Sequence, residues 1–224
     1  MGITVVLLLP RGIAAFPEMA LAMTVLAVLL IVGSTYLIIC GTKRKALAAV
    51  GGALAGIVCS GVLAVVVVRL SGLSGMHDED LGAIMRFTAG RNMDFRELLV
   101  IGIMLGTLGV VMDVAIGVAS ATSELKKASP GLAVKELRKH GMAVGGKVMG
   151  SMVMGLALAY MGINVGLFML PYADTRVGLS EVLGNEWVVA ETFRLLVGVT
   201  AVVWTVPMTA WLAAAVECGR KVER

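Results

Sequence analysis

Apolar residues in this chain form long runs separated by short polar segments, a pattern typical of membrane-spanning helices. Five runs are long enough to cross the hydrocarbon core of a bilayer, which takes about 20 helical residues. We predict spans at about residues 20–40, 46–69, 98–121, 142–170 and 188–216. The predicted fold class is all-α: one polytopic transmembrane helix bundle that forms a single domain over residues 1–224.

Shorter patterned segments lie outside these spans. Residues 1–9 are apolar but too few to cross a bilayer, and their sequence leaves open whether they insert. Apolar residues at helical spacing in 81–88 and 133–139 predict amphipathic helices on the membrane surface. The acidic run at residues 77–80 suits the first turn of a helix. A metal site there is the alternative, although four consecutive residues do not converge on one ion unaided.

Composition supports an integral membrane protein. The chain is 58% hydrophobic and 15% charged, with a mean hydropathy of +0.94, whereas soluble domains have about 25% charged residues. The net charge of +4 does not indicate nucleic acid, because the basic residues cluster in short loops between apolar runs. The three cysteines lack CxxC spacing and predict neither a disulfide nor a metal site. No cofactor is predicted.

Most lysines and arginines lie in residues 41–45, 122–141 and 217–224. The positive-inside rule therefore places these segments, and the C-terminus, in the cytoplasm. Residues 77–80 are expected on the opposite side. The basic segments on the cytoplasmic side also suit contact with anionic membrane lipid.

The third span carries an intramembrane carboxylate on a smooth helix face. Asp113 lies far from both ends of the span, and small residues recur around it at spacings of three and four. They are Gly102, Gly106, Gly109, Gly117 and Ser120. Such a face lets another helix backbone approach closely. An isolated charge in a bilayer is costly, so neighbouring groups must pair with the Asp113 carboxylate. Asp113 is therefore a functional candidate.

The fourth span offers a cation for Asp113. Gly145 and Gly150 are predicted packing positions, with Lys147 between them and Ser151 after them. The helical rise puts Asp113 roughly 12 Å and Lys147 roughly 9 Å from the cytoplasmic end. We predict that the two side chains pair or exchange partners.

Two interpretations of that pair stay open at this point. One is a proton relay in which Ser120 and Ser151 contribute hydroxyl groups. The other is a static ion pair that sets helix register. In the fifth span, Arg194 is predicted to anchor at the interface and Pro207 to kink the helix.

Enzyme classes fit poorly. An intramembrane aspartyl protease needs two carboxylates on facing helices, and Asp113 is the one deeply placed carboxylate in the predicted spans. The serines of the third and fourth spans have no histidine near them in the membrane. We therefore predict no enzyme and no catalytic residue.

Residues 106–124, GTLGVVMDVAIGVASATSE, resemble the signature of the YibE/F family of bacterial multi-pass membrane proteins. The likeness continues through residues 141–162 and 193–210. The chain departs from the usual family segment in the fourth span. There, Gly146 and Lys147 stand where the family usually has Arg and Asp. Val153 and Met154 stand where it has Thr and Asn.

The resemblance implies a bacterial inner-membrane protein similar to the short, F-like half of a split pair, with a companion YibE-like chain as partner. A more remote similarity to the membrane halves of SecD/SecF and resistance-nodulation-division transporters implies pairing through residues 102–117, with a second copy or that companion. It also implies proton-driven export. The competing hypothesis is a non-transporting scaffold or assembly subunit whose Asp113–Lys147 pair is structural.

Overall fold

The chain was analysed as a computed structural model, which describes residues 20–39, 43–73, 94–166, 169 and 178–218. Within these ranges every regular element is a helix, which confirms the all-α prediction. The helices are α1 (Ala20–Ile39), α2 (Lys43–Ser71), α3 (Phe95–Ala128), α4 (Val134–Ile163), α5 (Leu179–Leu183) and α6 (Glu186–Cys218).

Four of these helices are long and apolar enough to cross a membrane. They are α2 over Lys45–Ser71, α3, α4 and α6. The first predicted span corresponds to α1, whose described apolar stretch, Ala22–Tyr36, is shorter. The predictions for residues 1–9, 77–80 and 81–88 lie outside the described residues.

The helices flanking the basic segment are longer than the sequence pattern predicted. Helix α3 continues to Ala128, seven residues past the predicted end of its span, and α4 begins at Val134. Residues 133–139 are therefore not a separate surface helix but the N-cap and first turns of α4. The physical reason is that Pro130 and Gly131 stop α3, while no proline lies between Val134 and the apolar run. At its other end α4 stops at Ile163 rather than near residue 170.

Side chains close the two ends of α3. The Asp94 carboxylate accepts a hydrogen bond from the backbone N–H of Arg96 at 2.9 Å, a common N-cap arrangement. At the other end, the Lys126 ammonium donates to the carbonyl oxygens of Pro130 and Leu132, both at 2.8 Å. These bonds hold the turn that leads into α4.

Helices α3 and α6 form the centre of the bundle. Helix α6 contacts α2, α3, α4 and α5, while α3 contacts α1, α2, α4 and α6. In their most apolar stretches, 61% of the α3 residues are buried but only 11% of those in α4. Helix α4 therefore lies at the edge of the bundle and leaves most of its surface free.

Small residues bring α2 close to α6. A Cβ atom added at Gly52 would collide with the Thr209 hydroxyl, and one added at Gly56 would collide with the Thr205 hydroxyl. Each threonine hydroxyl donates to a carbonyl four residues earlier in α6, at 2.8 Å and 2.7 Å. The hydroxyl groups are therefore satisfied within α6, and the glycines leave room for the helix that carries them.

Candidate functional site: the Asp113 face and the Arg194 pocket

Asp113 lies near the middle of the 34-residue helix α3, on its open face. Gly106, Gly109 and Asp113 are exposed, whereas Val111, Val114 and Val118 on the opposite side are buried completely. A Cβ atom added at Gly109 would meet nothing within 4 Å, and the same holds at Gly117. No described helix of the chain packs against this face of α3 at Gly109 or Gly117, and we call the line of small residues around Asp113 (Gly102, Gly106, Gly109, Gly117 and Ser120) the Asp113 stripe.

The single chain does not bring Asp113 and Lys147 together. Both side chains are exposed, and no ion pair within 4.0 Å joins them in the described ranges. The reason lies in the packing of α4. Gly145 lies against Val118 of α3, where an added Cβ would be 3.0 Å from a methyl group. Lys147, two residues later, therefore points away from the bundle.

The predicted hydroxyl groups, those of Ser120 and Ser151, lie on different helices. Tyr160 approaches Gly106 while Gly145 approaches Val118, so the antiparallel α4 places Ser151 at about the level of Asp113. Ser151 is exposed and donates to the Val148 carbonyl at 2.9 Å. Ser120 is half-buried on the Asp113 side of α3.

The predicted packing glycines divide into three groups. Gly145 packs closely against α3 and α6, since an added Cβ would meet Val118 and Val206. Gly102 and Gly106 adjoin the side chains of Arg194 and Tyr160. At Gly109, Gly117 and Gly150 an added Cβ would find open space.

Arg194 forms part of a polar cluster between helices. Its Nη1 atom donates to the Glu191 carboxylate at 2.7 Å, and the two side chains are 26% and 13% exposed. A Cβ atom at Gly102 would lie 3.5 Å from Arg194 Nη2, and one at Gly106 would lie 3.1 Å from the Tyr160 hydroxyl. The first two glycines of the Asp113 stripe thus make room for these two side chains.

A pocket of about 80 Å³ opens between α4 and α6 beside this cluster. Four of its eight lining residues are polar (Tyr160, Asn164, Glu191 and Thr192), but the surface exposed to the pocket is mainly apolar. The Asn164 amide nitrogen donates to the Tyr160 carbonyl at 2.9 Å. Two buried atoms, Asn164 Oδ1 and Arg194 Nε, have no hydrogen-bond partner among the residues that the structure describes.

Sequence reasoning missed Glu191 and therefore the cluster. Glu191 lies only three residues inside the predicted fifth span, where a carboxylate is easily taken for interfacial. The available signal was its spacing to Arg194, because oppositely charged residues three apart on a helix face the same side. The contribution of Tyr160 in α4, and of Asn164 at the C-cap of that helix, had no local signal.

In a comparison with protein families, residues 1–218 match the YibE/F-like protein family. Comparison with curated proteins finds no match, and comparison with solved structures likewise finds none. The family match spans nearly the whole chain, including the Asp113 stripe and the Arg194 cluster. With its apolar helices, this chain is a membrane protein that belongs to the YibE/F-like family.

Proposed function

We propose that the chain is a transport or export subunit of the bacterial inner membrane, with its C-terminus in the cytoplasm and Asp113 as its proton-binding group. The observation that carries the proposal is the position of Asp113 on the open face near the middle of α3. An ionised carboxylate facing hydrocarbon is costly, so it must be protonated, paired or hydrated. Each of these states favours a different contact for the same helix face.

Proton binding at Asp113 would change what its face can contact. When neutral, Asp113 fits against lipid or a smooth helix surface. When ionised, it needs a cation, and Lys147 on the open side of α4 is the one that we assign. Ser120 and Ser151 would pass the proton between the carboxylate and water. No metal or cofactor is assigned to this process.

Proton flux in reconstituted vesicles tests this function. With Asp113→Asn, we expect dissipation of an imposed pH gradient to fall to the rate of protein-free vesicles, because the amide cannot bind and release a proton. Glu136→Gln is the matched control, since Glu136 is an exposed carboxylate in the first turn of α4. It should keep the wild-type flux. Equal flux in a correctly inserted Asp113→Asn variant would contradict the proposal and favour the scaffold function.

The occupant that we assign to the open Asp113 face is a second copy of this chain. The face is lined by glycines with open space beside them, and its carboxylate has no basic partner within the described chain. Lys147 is exposed on α4 of the same chain. A two-fold pairing would bring Asp113 of each copy towards Lys147 of the other, since symmetric interfaces make each contact twice.

We expect Gly109→Leu to abolish association of two copies while leaving the single chain folded, because leucine would fill the close-approach surface. The measurement is the mass of the protein in detergent by multi-angle light scattering, with helicity followed by circular dichroism. Gly162→Leu, at another glycine with open space, should associate like wild type. A monomeric wild-type protein would contradict self-pairing, as would association only with a companion chain.

A further inference from the structure

The pocket between α4 and α6 is built from both apolar and polar side chains. It lies near the C-terminal end of α4 and the N-terminal end of α6, at the end of the bundle remote from Cys218. Its water-accessible volume of about 80 Å³ exceeds the 10–15 Å³ that one water molecule needs. The pocket therefore has room for several water molecules.

Polar atoms beside the pocket lack partners within the described chain. Asn164 is 5% exposed, and its Oδ1 atom accepts no hydrogen bond. Arg194 does not line the pocket but pairs with Glu191, which does, and its buried Nε–H group has no acceptor among the described residues. A buried acceptor and a buried donor without partners are costly, and ordered water satisfies both kinds of group.

We propose that this pocket is a water-filled vestibule that hydrates the Glu191–Arg194 pair from the aqueous phase at its end of the membrane. Its ligand class is water and other small neutral molecules that both donate and accept hydrogen bonds. This inference goes beyond the proposed function and does not require Asp113 to bind protons.

The wall of the pocket distinguishes water from the other available occupant, a lipid chain. Ala157, Met161, Val188 and Leu195 would suit hydrocarbon. A lipid chain would leave Asn164 Oδ1 without a donor, however, and would seal the charged pair from solvent. Water satisfies that carbonyl oxygen and lets the pair remain ionised.

Cysteine accessibility tests the vestibule. In a variant whose Cys40, Cys59 and Cys218 are replaced by alanine, we compare Met161→Cys with Leu158→Cys. The native side chains are 58% and 61% exposed on the same helix, but only Met161 lines the pocket. A charged, membrane-impermeant methanethiosulfonate reagent reacts with the thiolate, which forms in water. We expect Met161→Cys to react at least about tenfold faster. A thiol pKa that is one unit lower in water than in lipid gives about ten times more thiolate.

A second substitution tests whether the Asn164 side chain binds the water in the pocket. Asn164→Leu in the Met161→Cys background should slow labelling towards the Leu158→Cys rate, whereas Asn164→Ser should retain most of it. Equal rates at positions 158 and 161 with Asn164 intact would overturn the vestibule, and faster labelling in the leucine variant would overturn the role of Asn164. Labelling does not measure proton flux, so its failure is distinct from a failure of Asp113→Asn.

Discussion

Replacing Gly52 with valine is expected to lower the thermal stability of the bundle more than most single substitutions would. An added Cβ would collide with the Thr209 hydroxyl and lie 3.0 Å from the Thr209 Cα atom. Backbone cannot rotate away as a flexible side chain can, so α2 and α6 must separate. Overpacking costs about 1–3 kcal/mol, and occasionally more. We place Gly52→Val at roughly 3 kcal/mol, a fall of about 6–12 °C in Tm for a chain of this size.

The same substitution at a glycine without close neighbours separates the effect of the steric collision from the effect of the change in helix propensity. Gly155→Val in α4 makes the same change where an added Cβ meets nothing within 4 Å. Outside close contacts, glycine in a helix is less favourable than most residues, so this variant should unfold at or above the wild-type Tm. Thermal unfolding in detergent, followed by circular dichroism, measures both variants. If Gly52→Val matched Gly155→Val, then α2 and α6 would not be packed as described.

Removing Arg194 alone is expected to destabilise the protein, and removing Glu191 with it should restore most of the loss. Deleting one member of a buried ion pair costs about 3–5 kcal/mol, because the remaining charge is left uncompensated. Since Arg194 is 26% and Glu191 13% exposed, we place Arg194→Met near the lower end, at about 3 kcal/mol. Glu191→Gln in that background removes the leftover charge.

A double-mutant cycle measures this coupling. The four proteins are wild type, Arg194→Met, Glu191→Gln and the double variant, compared by urea or thermal unfolding in one detergent. A coupling free energy of about 1 kcal/mol or more would show that the two charges act as a unit. Additive effects, or an Arg194→Met variant as stable as wild type, would support an interfacial anchor instead.

The positions of the long helices followed from the runs of apolar residues alone. The runs of apolar residues predicted the long helices because a bilayer needs about 20 helical residues to be crossed. The bounds were less accurate around the basic segment, since hydropathy marks where a chain leaves lipid and not where its helix ends. Helix α3 thus continues to Ala128, and α4 begins at Val134.

The face that carries Asp113 was also predictable, because positions three and four apart on a helix must lie on one side. Whether that face is covered was not predictable. Gly52, Gly56 and Gly141 make the close contacts between helices, while Gly109 and Gly117 face open space. All are glycines in apolar helices, and nothing in the local sequence distinguishes the two groups.

The sequence by itself determined a membrane-embedded helical chain with one carboxylate on a small-residue stripe, because hydropathy and helical spacing are local properties. Only the tertiary structure decided that Lys147 points away from Asp113, and that Tyr160 of α4 lies beside the Glu191–Arg194 pair of α6. Those outcomes depend on how α4 is rotated against α3 and α6. That rotation is set by contacts between residues far apart in the chain, such as Gly145 with Val206, which no local pattern records.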